Sequence, residues 1–286
     1  MSLVIHIGLH KTGTSAVQEH LFENRVKLLE AGLNYPSPLC QFPSHGELAW
    51  CFLKENAPWK DKEYNVQDVF SHYKYIFEKN TEYTTIVSSE DMSLLPILGR
   101  EFRDFTNFMK DYNPLIAVYV RNPYDYLVSS YHHAIREGYV KVSFKDYLAF
   151  SFFDRAVDYE TRIARWADAF GSESIILREY FAKDSVADFY DLLEMSWPGT
   201  SGTRQTVNSG IHPWLSDAYR KAPDTSDGHQ FREKLMELSK TLPVVNALEF
   251  YLGDEWEALL YSKIGLDYTA LLSRYSRRSI GSSGNL

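Results

Sequence analysis

Residues 115–120 read LIAVYV, an apolar run with no polar alternation. A strand with one wet face alternates in polarity. A continuous Val- and Ile-containing run instead predicts a strand buried on both faces, the habit of parallel sheets covered by helices. Shorter apolar runs begin at Leu3 and Thr84 and span SIIL, 174–177. Apolar residues at helical spacing lie between them. The reading is strand 3–8, helix 14–31, helices around 45–56 and 66–79, strand 84–89 and helix 98–111. Strand 115–120, helix 123–137, helix 155–170, strand 174–178 and helix 185–195 follow. Such alternation predicts an α/β fold, a parallel sheet flanked by helices, with ligands at the carboxyl ends of the strands. From about 210 onward the pattern is helical, as in PWLSDAYRKA and QFREKLMELSKTL. The expectation is one domain over 1–286: an α/β core over about 1–200, a helical C-terminal cap over about 210–276, and a Ser/Gly-rich disordered tail, 277–286.

The first strand runs into His10-Lys11-Thr12-Gly13-Thr14-Ser15 and then a helix. A strand, a glycine-containing loop and a helix start make an anion site, because the first N–H groups of the helix lack intrahelical partners and the dipole favours negative charge. Lys11 adds a cation, and Thr12, Thr14 and Ser15 add hydroxyls. The loop is P-loop-like but not a triphosphate loop. Aligning Gly8 and Gly13 with the two glycines of G-x-x-x-x-G-K-[ST] puts Thr14 where that motif has its Lys. The expected ligand carries phosphate or sulfate.

The second informative segment follows LIAVYV. Arg121 sits at the carboxyl end of that strand, Pro123 suits the first turn of the next helix, and Ser129 lies eight residues after Arg121. An Arg fork gives a phosphate two parallel charge-assisted hydrogen bonds. Together, K-T-G-T-S after a strand and R-N-P-x-x-x-x-x-S-x-Y resemble the sulfotransferases that use 3′-phosphoadenosine 5′-phosphosulfate (PAPS). The resemblance extends through the helix, Gly171, SIIL and R-x-Y order of residues 159–193 and covers roughly residues 3–200. It implies that Lys11 and the loop His10 to Ser15 hold the 5′-phosphosulfate, and that Arg121 and Ser129 hold the 3′-phosphate. It further implies transfer of a sulfuryl group from PAPS to an acceptor hydroxyl, on a carbohydrate or other polar metabolite, with PAP (3′,5′-adenosine bisphosphate) as product. Residues 203–213 fall where relatives place a loop over the cofactor, which makes Arg204, Asn208 and Ser209 lid contacts. The chain lacks the R-K-G pattern of cytosolic relatives there, and has Ala16 where a Trp often follows the first motif.

The reaction needs a base at the acceptor oxygen, on a strand end or loop beside the sulfate. Glu90 ends the strand YTTIVSSEDM, and the resemblance gives that position the base. His45, in FPSHGELAW, is the other candidate, since an unperturbed imidazole titrates near pH 6.5. Both are expected to face the acceptor, with the choice between them open. Ser44 and Glu47 read as a capping box.

Composition narrows the function. The formal charge of −8 argues against a nucleic-acid binder. No stretch approaches 18 apolar residues, which argues against a membrane span. The apolar start is too short for a signal-peptide core and lacks a basic leader, so a cytoplasmic enzyme is expected. The two cysteines form no metal-ligand spacing, and His132 and His133, being helix neighbours, point to different sides, so no metal is expected. Two rivals stay open: a small-molecule P-loop kinase, which would need ATP and magnesium, and a non-catalytic PAPS- or PAP-binding protein. The oligomeric state is not readable from the sequence.

Overall fold

The computed structural model describes residues 2–9, 11–53, 60–150, 157–180, 184–195, 211–264 and 267–275. The chain forms two compact units, one of residues 1–121, 160–203 and 268–286, the other of residues 122–159 and 204–267.

The first unit contains a five-stranded sheet: β1 (Ser2–Gly8), β2 (Leu33–Asn34), β3 (Thr84–Ser88), β4 (Leu115–Val120) and β5 (Ile175–Glu179). The order is β2-β3-β1-β4-β5 and every pair is parallel. Residues Leu3 to Gly8 of β1 and Ile116 to Val120 of β4 are all buried, so both faces are covered, as the unalternating apolar runs require. On one face Val4, Ile86, Ala117, Tyr119 and Ile176 pack with Val17 and Leu21 of α1 (Thr14–Glu23), Leu28 of α2 (Arg25–Glu30) and Phe189 further along the chain.

Local chemistry moves several element boundaries. The helix expected over 14–31 is broken at Asn24, whose backbone (φ −101°, ψ 9°) leaves the helical region and whose side chain bonds the His20 carbonyl at 2.9 Å. The helix expected around 45–56 is one turn among the described residues, α3 (Glu47–Trp50). After α4 (Val66–Lys79) and β3 comes a 3-10 helix, Glu90–Leu98, that was not read from the sequence; it carries Pro96 and stops at Gly99 (φ 67°). The expected helix 98–111 therefore begins later, as α5 (Arg100–Lys110). Strand β2 is only two residues long, too short for any periodic signal.

The remaining helices of this unit are α8 (Tyr159–Phe170), α9 (Ser185–Leu192) and α14 (Tyr268–Tyr275). Arg274 of α14 bonds Glu160 of α8 at 2.9 Å.

The second unit is helical. It begins with α6 (Pro123–Arg136), whose N-cap Asn122 accepts from the Tyr124 amide at 2.9 Å. Then come α7 (Phe144–Tyr147), α10 (Pro213–Lys221), α11 (Ser226–Ser239), α12 (Ala247–Leu252) and α13 (Trp256–Ile264). Tyr131 anchors its core: the ring meets Phe144, Tyr147 and Tyr251, and the hydroxyl donates to the Val142 carbonyl at 3.0 Å. Among the described residues no helix is long and apolar enough to cross a membrane.

In the first unit, α5 and α8 are joined by Trp166, which is 2% exposed and packs against Phe102, Phe105 and Phe170 with centroids at 5.0, 5.8 and 5.7 Å. Trp166→Ala is expected to lower the unfolding free energy by about 3–5 kcal/mol, read from urea denaturation, because the cavity between two helices cannot close fully.

Candidate functional site

The register of the sheet assembles the site. His6 of β1 stands beside Ser88 of β3, and Gly8 beside Tyr119 of β4. The carboxyl ends of three adjacent strands therefore lie together. From them emerge the loop after β1, the Ser89–Glu90 step after β3, and Arg121 after β4. Ladder bonds continue beyond the strands, from the Leu9 amide to the Tyr119 carbonyl (2.9 Å) and from the Ser89 amide to the His6 carbonyl (3.1 Å).

The loop is tightly built. Gly13 (φ 75°) takes the left-handed conformation that only glycine adopts without strain, and Lys11 (φ 69°) is held there despite its side chain. Thr12 closes the turn by donating to the Leu9 carbonyl at 2.6 Å, so its hydroxyl serves the loop itself. Gly8 is required by close approach: a Cβ there would lie 1.9 Å from Thr14 Cγ2 and 2.7 Å from Thr12 Oγ1. Helix α1 starts at Thr14 with no side-chain cap, and the Ala16 amide donates to the Gly13 carbonyl at 3.1 Å, which leaves the Thr14 and Ser15 amides for an external acceptor. Ser15 is exposed and Lys11 half-buried.

Arg121 reaches this loop. Its Nη1 donates to the Lys11 carbonyl at 3.3 Å, and its guanidinium carbon lies 5.7 Å from the centre of the Tyr180 ring. Tyr180 also walls Gly13, where a Cβ would come within 2.8 Å of its ring. Its place after β5 was visible in the sequence only as the R-x-Y order. Ser129 is half-buried on α6, in the second unit.

Glu90 meets α1. The Thr14 hydroxyl donates to Glu90 Oε2, joining the start of α1 to the residue after β3. Asp91, next along, accepts from the Trp50 indole at 2.6 Å.

His45 is fully buried, and both ring nitrogens are engaged by backbone. The Ser88 amide donates to Nδ1 at 3.0 Å, so Nδ1 is the acceptor and Nε2–H donates to the Pro36 carbonyl at 3.0 Å. The His45 amide donates to the Ser88 carbonyl at 2.7 Å. Burial holds the imidazole below its ordinary pKa, against the opposing charge of Glu47. Ser88 is a hub for two further buried side chains. Its Oγ accepts from Gln18 Nε2 at 3.2 Å and contacts His6 Nδ1 at 2.8 Å. Burial pushes His6 down to about 3, with the Glu90 charge opposing.

Glu47 does not form the expected capping box. The N-cap of α3 is Gly46, without a side-chain cap. The carboxylate is instead buried, Oε1 accepting from the Tyr73 hydroxyl and, at 3.0 Å, from the Leu39 amide. His132 and His133 do diverge: His132 is buried against the Tyr251 hydroxyl (2.9 Å), while His133 meets Arg136 (3.0 Å). Among the described residues no group of three His, Cys, Asp or Glu could hold a metal ion. His10, Arg204, Asn208, Ser209 and the tail 277–286 lie outside the described residues.

No family model matches this chain, and no curated protein matches it. Among solved structures it is similar to a sulfotransferase from Alicyclobacillus acidocaldarius, with a TM-score of 0.49 and 17% identity, over 94% of this chain and 98% of that one. At this identity the likeness assigns neither donor nor acceptor.

The buried histidines make folding pH-dependent. The unfolded chain takes up imidazole protons below about pH 6.5, whereas folded His6 stays neutral down to about 3. Their effect is absent above pH 6.5 and destabilises the fold as pH falls below it. His6 alone is expected to remove up to about 1.4 kcal/mol per pH unit, with His45 acting in the same direction. Urea midpoints at pH 7.5 and 5.0 check this, and His6→Asn should flatten the dependence.

Proposed function

We propose that this chain is a PAPS-dependent sulfotransferase acting on an acceptor hydroxyl, on a carbohydrate or similar polar compound. The observation that carries the proposal is the meeting of Arg121 with the Lys11–Gly13 loop, two segments 110 residues apart, at the carboxyl ends of β1 and β4. An anion loop and a strand-end arginine held together suit a ligand with two separate phosphate-like groups.

The donor set fits such a ligand. The uncapped start of α1, the glycine-lined loop and Lys11 suit the 5′-phosphosulfate, and the Arg121 fork suits the 3′-phosphate. Ser129, His10 and Arg204 enter only through the sequence resemblance. When bound, the donor supplies a sulfuryl group: a new S–O bond forms to the acceptor oxygen as the bond from sulfur to the bridging phosphate oxygen breaks, and PAP leaves with that electron pair. Lys11 and the amides of Thr14 and Ser15 stabilise the negative charge there. Arg121 aligns the donor through binding energy remote from the sulfur. Glu90 takes the acceptor's proton on its carboxylate. It has the better claim over His45, because both imidazole nitrogens of His45 are spent on backbone groups; His45 instead ties the Pro36 loop to Ser88, two residues before Glu90. The kinase alternative loses support from Thr14, which stands where a triphosphate loop has its lysine and here faces a carboxylate.

Calorimetry with PAP, 5′-AMP and ATP plus magnesium tests the proposal. PAP is expected to bind preferentially, and Arg121→Ala to cost about 3 kcal/mol or more, on the order of two charge-assisted hydrogen bonds. Preference for ATP with magnesium, or an Arg121→Ala variant with unchanged PAP affinity, would overturn it. In turnover assays Glu90→Gln is expected to lose at least about 100-fold while still binding PAP. That outcome separates an enzyme from a binding protein, which has no transfer activity to lose.

A further inference from the structure

We propose that the Glu90 carboxylate is the donor site's own stand-in anion: it holds the Thr14 hydroxyl until an incoming sulfate or phosphate group displaces it. The proposal rests on the function above for the identity of the donor and adds how that site is regulated.

Thr14 is the first residue of α1, where an anion meets the helix dipole and unsatisfied amides. Its hydroxyl can donate one hydrogen bond, and Glu90 Oε2 accepts it. The side chain has little freedom to serve both partners. Thr14 is 3% exposed, its Cγ2 lies over Gly8 where a Cβ would come within 1.9 Å, and a β-branched residue in a helix has few allowed rotamers. An arriving anion must therefore compete with Glu90 for a hydroxyl already aimed.

The backbone around Glu90 is fixed while its side chain is only half-buried. Before it, the Ser89 amide bonds the His6 carbonyl at 3.1 Å; after it, the Asp91 amide bonds Ser89 Oγ at 3.2 Å and the Asp91 carboxylate is held by Trp50 at 2.6 Å. Displacement is thus a side-chain movement. Two consequences follow from charge alone. The carboxylate repels any anion approaching Thr14, which weakens donor binding. Once the anion is seated, the same repulsion turns the carboxylate away from α1 and leaves it able to accept an acceptor's proton. Donor binding thereby comes before deprotonation of the acceptor, and Glu90 enforces the order.

The test compares the full-length wild type with Glu90→Gln, which keeps the shape and removes the charge. PAP affinity is measured by calorimetry, and inorganic sulfate affinity by the rise of the thermal midpoint with sulfate concentration. Both ligands are expected to bind about tenfold more tightly to Glu90→Gln, from removal of one like charge at close range. Unchanged or weaker sulfate and PAP binding in the variant would overturn the proposal and leave the sulfotransferase reading standing. Tighter sulfate binding by the variant, with no PAP binding by either protein, would support the stand-in anion and sink the assigned donor. If Glu90→Gln does not fold, judged by its thermal transition, Glu90→Ala carries the same expectations.

Discussion

The pairing of β3 and β4 on either side of β1 is the constraint from which the site follows. Because both pairs are parallel, all three strands end at the same edge of the sheet, and their registers (His6 beside Ser88, Gly8 beside Tyr119) bring the three exits level. The crossover from one side of β1 to the other makes this edge the switch point where an open α/β sheet offers a crevice for ligands. A loop of amides, a carboxylate and an arginine meet there. Side chains on strand ends inherit the rigidity of the ladder beneath them.

Beneath that edge the first unit accepts a cluster of buried polar groups, and its energetics are those of desolvation. The Ser88 hydroxyl receives Gln18 and engages His6, while the Ser88 backbone exchanges two hydrogen bonds with His45, so groups from four separate segments satisfy one another out of water. Neutral imidazoles are the form such a site tolerates, because an uncompensated buried charge costs far more than the hydrogen bonds return. The cluster fixes the strand end from which Glu90 projects. Close packing does comparable work on the other side: Gly8 admits Thr14, and Gly13 admits Tyr180.

Much of this architecture was legible because it is local. The unalternating runs at β1 and β4 announce strands covered on both faces, and the strand-loop-helix at 4–18 is readable within a few consecutive residues. Arg121 could be placed at a strand end for the same reason. Where the sequence misled, a single residue or a distant partner had decided the matter. Asn24 breaks a helix that periodicity carried through, Pro96 and Gly99 shape a 3-10 segment, and Glu47 abandons a plausible cap for Tyr73 and the Leu39 amide.

The sequence by itself determined four of the five strands, the approximate positions of the longer helices between them, the strand-loop-helix at 4–18 and the type of residue at each strand exit, since those depend on spacing along a few turns of chain. Only the tertiary structure decided which exits are neighbours, that Thr14 answers to Glu90, that both nitrogens of His45 are consumed by backbone, and that residues 122–159 group with 204–267 while α14 groups with the sheet. The physical reason is sequence distance. Thr14 and Glu90 are 76 residues apart, and no local periodicity or propensity encodes a hydrogen bond across that separation; it exists because strand pairing brings the two backbones together.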